Sequence, residues 1–159
     1  MIMKRLFTIL FVCLLLYCPI QGSAALTPDF TGCTPVTENL SAVERQGRLG
    51  WKTDIDNEKY DVPININDCL LYENTRGLLV NVTYFDEGIG CFALRYSTGA
   101  RFALSNVSRL NDTKIWKTAT FILDGAVCNK SVSGADFLIT VSDDSMGTSP
   151  ENAIIGGVD

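Results

Sequence analysis

The sequence predicts an all-β sandwich, and three observations carry that prediction. From Tyr60 onward, apolar residues alternate with polar ones in short runs and do not recur at helical spacing. The runs are rich in Val, Ile, Thr, Phe and Tyr, the residue types that suit a pleated, half-buried surface. Between them lie clusters of Gly, Asn, Asp and Ser that turn the chain. Short strands at this spacing, divided by turns, build a sandwich or a barrel.

Taken in order, residues 1–25 read as a secretory signal peptide. Lys4 and Arg5 form its positive start, residues 6–17 its apolar stretch, and Ser23, Ala24 and Ala25 its small-residue exit. The apolar stretch is too short to span a bilayer comfortably, and no second run is long enough for a transmembrane helix. The expected product is a secreted, extracellular protein of residues 26–159, a single β-sandwich domain without membrane insertion. Loss of the leader removes two of the 13 basic residues and none of the 18 acidic ones, so the net charge of −5 becomes −7. An acidic surface repels nucleic acid, which is therefore not an expected partner.

Residues 26–50 are broken by Pro28, Gly32, Pro35, Gly47 and Gly50 and are expected to be irregular, with one helical turn at most at residues 42–45. Val62, Ile64 and Ile66 then alternate with Pro63, Asn65 and Asn67, and the proline confines this strand to an edge or an entry. Residues 77–85 put Val80, Val82 and Tyr84 on one face, with Asn81 and Thr83 on the other. Asp86, Glu87 and Gly88 turn the chain into a strand over 91–96, whose Phe92, Leu94 and Tyr96 share a face. Further strands are expected over 101–107, 115–123, 136–141 and 153–158. Alternation gathers Val82, Phe121, Leu123, Phe137 and Ile139 into one core.

Cys13 and Cys18 leave with the leader. The remaining Cys33, Cys69, Cys91 and Cys128 are even in number in an exported chain, which favours two disulfides, with three pairings open. Their irregular spacing and the absence of histidine argue against a zinc site.

The run Trp116-Lys117-Thr118-Ala119-Thr120-Phe121-Ile122-Leu123-Asp124 is an amphipathic strand opened by tryptophan, and Gly134-Ala135-Asp136-Phe137 leads into another. Together they resemble a signature of galactose-binding-like, jelly-roll accessory domains, which recur beside catalytic domains in secreted glycoside hydrolases. Ile64-Asn65-Ile66-Asn67-Asp68, Val80-Asn81-Val82-Thr83-Tyr84-Phe85-Asp86-Glu87-Gly88 and Phe92-Ala93-Leu94-Arg95-Tyr96 resemble further elements of the same family, in the same order. The pattern departs at Val127, where an aromatic is usual, at Cys128, which replaces a small residue, and at Leu138, which replaces a common arginine. The resemblance covers the chain from about Tyr60 onward. It implies a jelly-roll sandwich that binds carbohydrate or a glycoprotein and performs no catalysis.

Individual residues sharpen that expectation. The chain contains no histidine, which removes the commonest general base and the Ser-His and Cys-His nucleophile systems. A hydrolase would then need two carboxyls about 5–9 Å apart across the scissile bond. Asp86 with Glu87, and Asp143 with Asp144, read more simply as solvated turn residues. Trp51 and Trp116 are the residues best able to stack on a sugar ring, and Trp116 could equally cap the sandwich. Asp136 could contact sugar hydroxyls or calcium, or could instead accept backbone N–H bonds at a strand entry. A structural calcium ion is conceivable on Asp54, Asp56, Asn67 and Asp68, hard oxygen donors without EF-hand spacing.

Asn-x-Ser/Thr sequons stand at Asn39, Asn81, Asn106, Asn111 and Asn129, where chance in a chain of this composition predicts about one or two. That excess suggests a glycoprotein, although Asn129 also matches a loop asparagine of the resembled family. The favoured expectation is a secreted carbohydrate- or glycoconjugate-binding module. The alternatives are a structural or protein-interaction module without a sugar site and, further off, a carboxylate-dependent hydrolase.

Overall fold

In a computed structural model that describes residues 30, 33–38, 40–67, 76–142, 146–147 and 149–159, the alternation becomes a succession of strands. They are β1 (Cys33–Pro35), β2 (Ser41–Arg45), β3 (Arg48–Lys52), β4 (Asp61–Ile66), β5 (Arg76–Phe85), β6 (Cys91–Ser97), β7 (Phe102–Leu104), β8 (Ser108–Arg109), β9 (Trp116–Ala126), β10 (Phe137–Thr140) and β11 (Ile154–Val158). One sheet has the order β2-β3-β11-β5-β9, the other β1-β4-β10-β6-β7, with β8 also paired to β6. Every pairing is antiparallel.

Setting aside β1, β2 and β8, the first, eighth, third and sixth of the remaining strands form one sheet. The second, seventh, fourth and fifth form the other. That interleaving is the jelly roll, two Greek keys wrapped into a sandwich. The chain therefore has the architecture of the domains it resembles.

Alternation explains the core. Val82, Tyr84, Phe121, Leu123 and Ile155 face inward from one sheet, and Val62, Ile64, Phe92, Leu94, Phe137 and Ile139 from the other. The five residues expected to share a core do so, each at most 1% exposed. Phe92 ties the sheets together, with its ring centroid 4.9 Å from that of Tyr84 and 5.7 Å from that of Phe121. Burying side chains of this size stabilises the fold by about 1.5–3 kcal/mol each.

The N-terminal third departs from expectation. Residues 41–45 form strand β2 and not a helical turn, and β2 pairs with β3 through a two-residue turn. Gln46 and Gly47 take φ of 52° and 75°. Positive φ at both central residues is the hairpin geometry that matches strand twist. The strand expected over 101–107 is also divided, because Ser105 Oγ accepts from Leu94 N and donates to the Asn106 carbonyl. That leaves β7 and β8 on either side of a kink.

The two expected disulfides are not formed among the described residues. Cys33 and Cys128 are thiols, Cys91 is buried against Ala93 and Met146, and Cys69 lies outside the described residues. Burial, and then the charges of Asp159 and Asp136, push the Cys33 thiol above its ordinary range. Burial, and then the charges of Asp136 and Cys33, push Cys128 up to about 11. Both sulfurs therefore carry their protons at neutral pH, and the protonated thiol is the unreactive form.

Candidate functional site

Trp116 opens β9 on the outer face of the first sheet. Its indole lies across β11 and β3 where both strands carry glycine. A Cβ at Gly156 would run into Cζ3 of the indole, and one at Gly50 would sit 3.1 Å from Cη2. Gly156 is also the extra residue of a bulge, since the register passes from Ile155 opposite Tyr84 to Gly157 opposite Thr83. The indole N–H donates to the Arg45 carbonyl at 2.9 Å. Phe85 meets the ring edge-on at 5.4 Å, and the Arg48 guanidinium lies over it at 4.9 Å. Trp116 thus forms part of the structure of the outer face, and its ring already has partners.

Beside the indole, the same face carries a groove of about 410 Å³ lined by Arg48, Asn81, Thr83, Thr118, Gly157, Val158 and Asp159. Alternation puts these polar groups in cross-strand rungs. Thr83 stands opposite Thr118 with their hydroxyls 3.4 Å apart, and Asn81 Oδ1 accepts from the Thr120 hydroxyl at 2.7 Å. Arg48 donates to the Gly156 carbonyl at 2.9 Å, while its buried Nε has no hydrogen-bond partner. The arrangement offers amide and hydroxyl donors and acceptors along a shallow floor, held by a cation stacked on indole.

The three expected ligand contacts do not converge. Gly50 presents its open face to Trp116, so the next residue on β3, Trp51, points to the opposite side of the sheet. Trp51 pairs with Ile155, a fully buried core residue, and is itself half-buried. Asp136 belongs to the second sheet and is 5% exposed. Its carboxylate accepts from Ile66 N at 2.8 Å and from Lys130 N at 3.0 Å, and its own N–H donates to the Ile64 carbonyl. The strand-entry reading of Asp136 is the one realised. Leu138, at the position of the common arginine, packs under the preceding turn with Val132 and Ala135.

Asp86 corrects the solvated-turn reading, because its side chain is fully buried. It accepts from Asn111 N at 2.7 Å, from the Thr113 hydroxyl at 2.5 Å and from Lys117 Nζ at 2.6 Å. Burial opposes its ionisation, but the bonds from Lys117, Thr113 and Asn111 outweigh that effect and hold the carboxyl well below the usual range. Glu87 pairs with Arg45 at 2.8 Å, and that bond holds its pKa low despite partial burial. Glu87 also lines a second groove, of about 290 Å³, with Arg45, Lys52, Ile55, Gly88, Glu151, Asn152 and Ile154. There Glu151 accepts from Ile89 N and Gly90 N at 2.8 and 3.2 Å.

The oxygen donors considered for calcium are spread out. Asp54 and Asp56 precede β4 and Asn67 follows it, separated by a six-residue strand of about 20 Å. Asp68 lies outside the described residues. The described donors therefore do not fit one ion. Of the sequons, Asn39 lies outside the described residues, Asn106, Asn111 and Asn129 are exposed in loops, and Asn81 stands in the polar groove.

No protein-family model and no curated protein sequence matches the chain. Solved structures of three variants of the family 29 carbohydrate-binding module CBM29-2 are similar to it in backbone course. Their TM-scores are 0.46, 0.48 and 0.47, at 10%, 8% and 10% identity. Each alignment covers 84% of this chain and 86%, 86% and 80% of the respective module.

Arg48, Thr83 and Thr118 were absent from the sequence-based candidates. One signal could have found them. Thr118 and Thr120 alternate with Ala119 and Phe121, and two adjacent glycines interrupt the last strand, a mark of close approach by another group.

Proposed function

We propose that this protein is a secreted, non-catalytic carbohydrate-binding module, and that the groove across β3, β11, β5 and β9 is its sugar site. The observation that carries the reading is the groove itself, about 410 Å³ with a floor of Asn81, Thr83 and Thr118. That volume lies in the range of about 300–1,000 Å³ typical of small-ligand sites. Amide and hydroxyl groups both donate and accept, which suits the dense hydroxyls of a neutral sugar. Arg48 and Asp159 border the floor, and Trp116 acts by holding Arg48 in place.

The charges support the non-catalytic reading. Glycoside hydrolysis needs a protonated carboxyl facing an ionised one. Asp159 is the carboxylate among the residues lining the groove. In the second groove Glu87 is ion-paired with Arg45, which favours its ionised form, and Glu151 is engaged by Ile89 N and Gly90 N. Secretion rests on the leader at residues 1–25.

A glycan array with the mature chain, followed by titration calorimetry, tests the proposal. Thr118→Val and Asn81→Ala should each weaken binding about tenfold or more, the worth of one or two lost hydrogen bonds, with little change in Tm. Affinity should vary little with salt. A wild-type protein that binds no glycan refutes the reading. A protein-interaction role then moves ahead, favoured by Leu79 and Ile122, cross-strand neighbours on the same face that are 64% and 59% exposed.

A further inference from the structure

We infer that Cys33 and Cys128 form a redox pair, closing under oxidising conditions into a disulfide that fastens β1 to the turn after β9. The geometry converges on one carboxylate. Asp136 Oδ2 accepts from Ile66 N at 2.8 Å, and Ile66 is the residue directly opposite Cys33 in the β1–β4 ladder. Asp136 Oδ1 accepts from Lys130 N at 3.0 Å, two residues after Cys128. Opposed residues in an antiparallel pair stand about 4.5–5.5 Å apart at Cα, so the carboxylate brings the two cysteine-bearing segments together.

Neighbouring bonds fix both ends. Val127 N donates to the Ser97 carbonyl at 2.8 Å, which sets the start of the turn against the end of β6. Cys33 N donates to the Phe30 carbonyl at 3.1 Å and packs against the main core. Both thiols are half-buried, open enough to meet a small oxidant. The Asp136 carboxylate disfavours ionisation of both thiols, as a group standing near each of them does.

The chemistry balances with a disulfide oxidant, glutathione disulfide or an oxidoreductase disulfide. One cysteine, as thiolate, attacks the oxidant and releases its first thiol, leaving a mixed disulfide. The second thiolate attacks the protein sulfur of that mixed disulfide and expels the oxidant's second thiol. Two protein S–H bonds are lost, the oxidant is reduced to two thiols, and the protons pass to them through solvent. Because both thiols are protonated at neutral pH, the rate should climb as pH rises.

β1 gains most from the bridge. Among the described residues it is a three-residue edge strand paired with β4 alone. The bridge would also enclose β2 to β9 within one loop, restricting the unfolded chain.

The test takes the mature chain through glutathione buffers of increasing oxidised fraction, followed by alkylation and peptide mapping without reductant. The expected result is a linked peptide containing Cys33 and Cys128, together with a Tm above that of the reduced protein. Cys33→Ser, Cys128→Ser and the double variant should all lose the same part of that rise. Cys33 and Cys128 recovered fully alkylated from oxidised protein, or Cys33 linked to Cys69 or Cys91, would overturn the inference.

Discussion

Replacing Gly156 by alanine tests how the indole of Trp116 is seated. The added Cβ would run into Trp116 Cζ3, and would lie 2.9 Å from Cη2 and 3.1 Å from Arg48 Nε. A rigid indole cannot yield at one atom, so the whole ring must lift from β11. Lifting breaks the 2.9 Å bond to the Arg45 carbonyl, worth about 1 kcal/mol. It also weakens the edge contact with Phe85, worth about 0.5–1.5 kcal/mol. The sum, about 2 kcal/mol, falls within the range of about 1–3 kcal/mol for overpacking a well-filled site. For a domain of this size the Tm should fall by roughly 6–8 °C. Urea unfolding followed by tryptophan fluorescence measures the change, and a double-mutant cycle with Trp116→Ala isolates its cause. Without the indole, Gly156→Ala should cost no more than a few tenths of a kcal/mol. An equal cost in both backgrounds, or none in either, would refute the seating of the ring on β11.

Other substitutions probe the rest of the molecule. Phe137→Ala should lower stability by about 3–5 kcal/mol in urea titrations, since the ring is 1% exposed in the core. Asp86→Asn should cost about 1–3 kcal/mol at neutral pH by breaking the Lys117 pair and disturbing the Asn111 and Thr113 bonds. The folded pKa of Asp86 is depressed, so its contribution is complete above the unfolded value of about 3.9 and is lost as pH falls below it. Melting curves in acid should therefore be flatter for Asp86→Asn than for wild type, and identical pH profiles would contradict that role. Arg45→Leu should raise the pKa of Glu87, read by carbon-detected NMR titration, because the Arg45 bond is the largest influence holding it down. Gly47→Val should destabilise the β2–β3 hairpin by at least about 1 kcal/mol, because φ is +75° there and a β-branched residue resists it.

Strands β4, β5, β6, β9, β10 and β11 could be read from the sequence because each has an inward face of large apolar residues. Val80, Val82 and Tyr84, or Phe121 and Leu123, reveal their period without help. β2 and β3 were hidden for a physical reason. Their turn uses Gln46 at positive φ, which no turn preference announces, and Gly50 gives up a side chain so that Trp116 can lie over it. Such a glycine looks like a breaker in sequence and acts as a seat in the fold. The groove was legible only in part. Asn81 and Thr83 were placed on the outward face of β5, but Arg48 and Asp159 reach them through β3 and β11, strands distant in the chain. Asp86 misled because a carboxylate between a strand and Gly88 resembles any solvated turn. Its partners Asn111, Thr113 and Lys117 lie more than twenty residues away.

The position of β11 between β3 and β5 has a consequence for the order of assembly. A sheet in which sequence-late residues fill a central slot cannot close as the chain emerges. Until residues 154–158 arrive, β3 and β5 present facing edges with no partner between them, and the glycine bed for Trp116 is half missing. Unpaired edges of this kind are templates for other chains. Pairings between segments so far apart also fold slowly, because loop closure comes before the contacts that reward it. A nascent chain should therefore be unable to complete this sheet until β11 has been made. Its collapse into the sandwich would then be a late, single event.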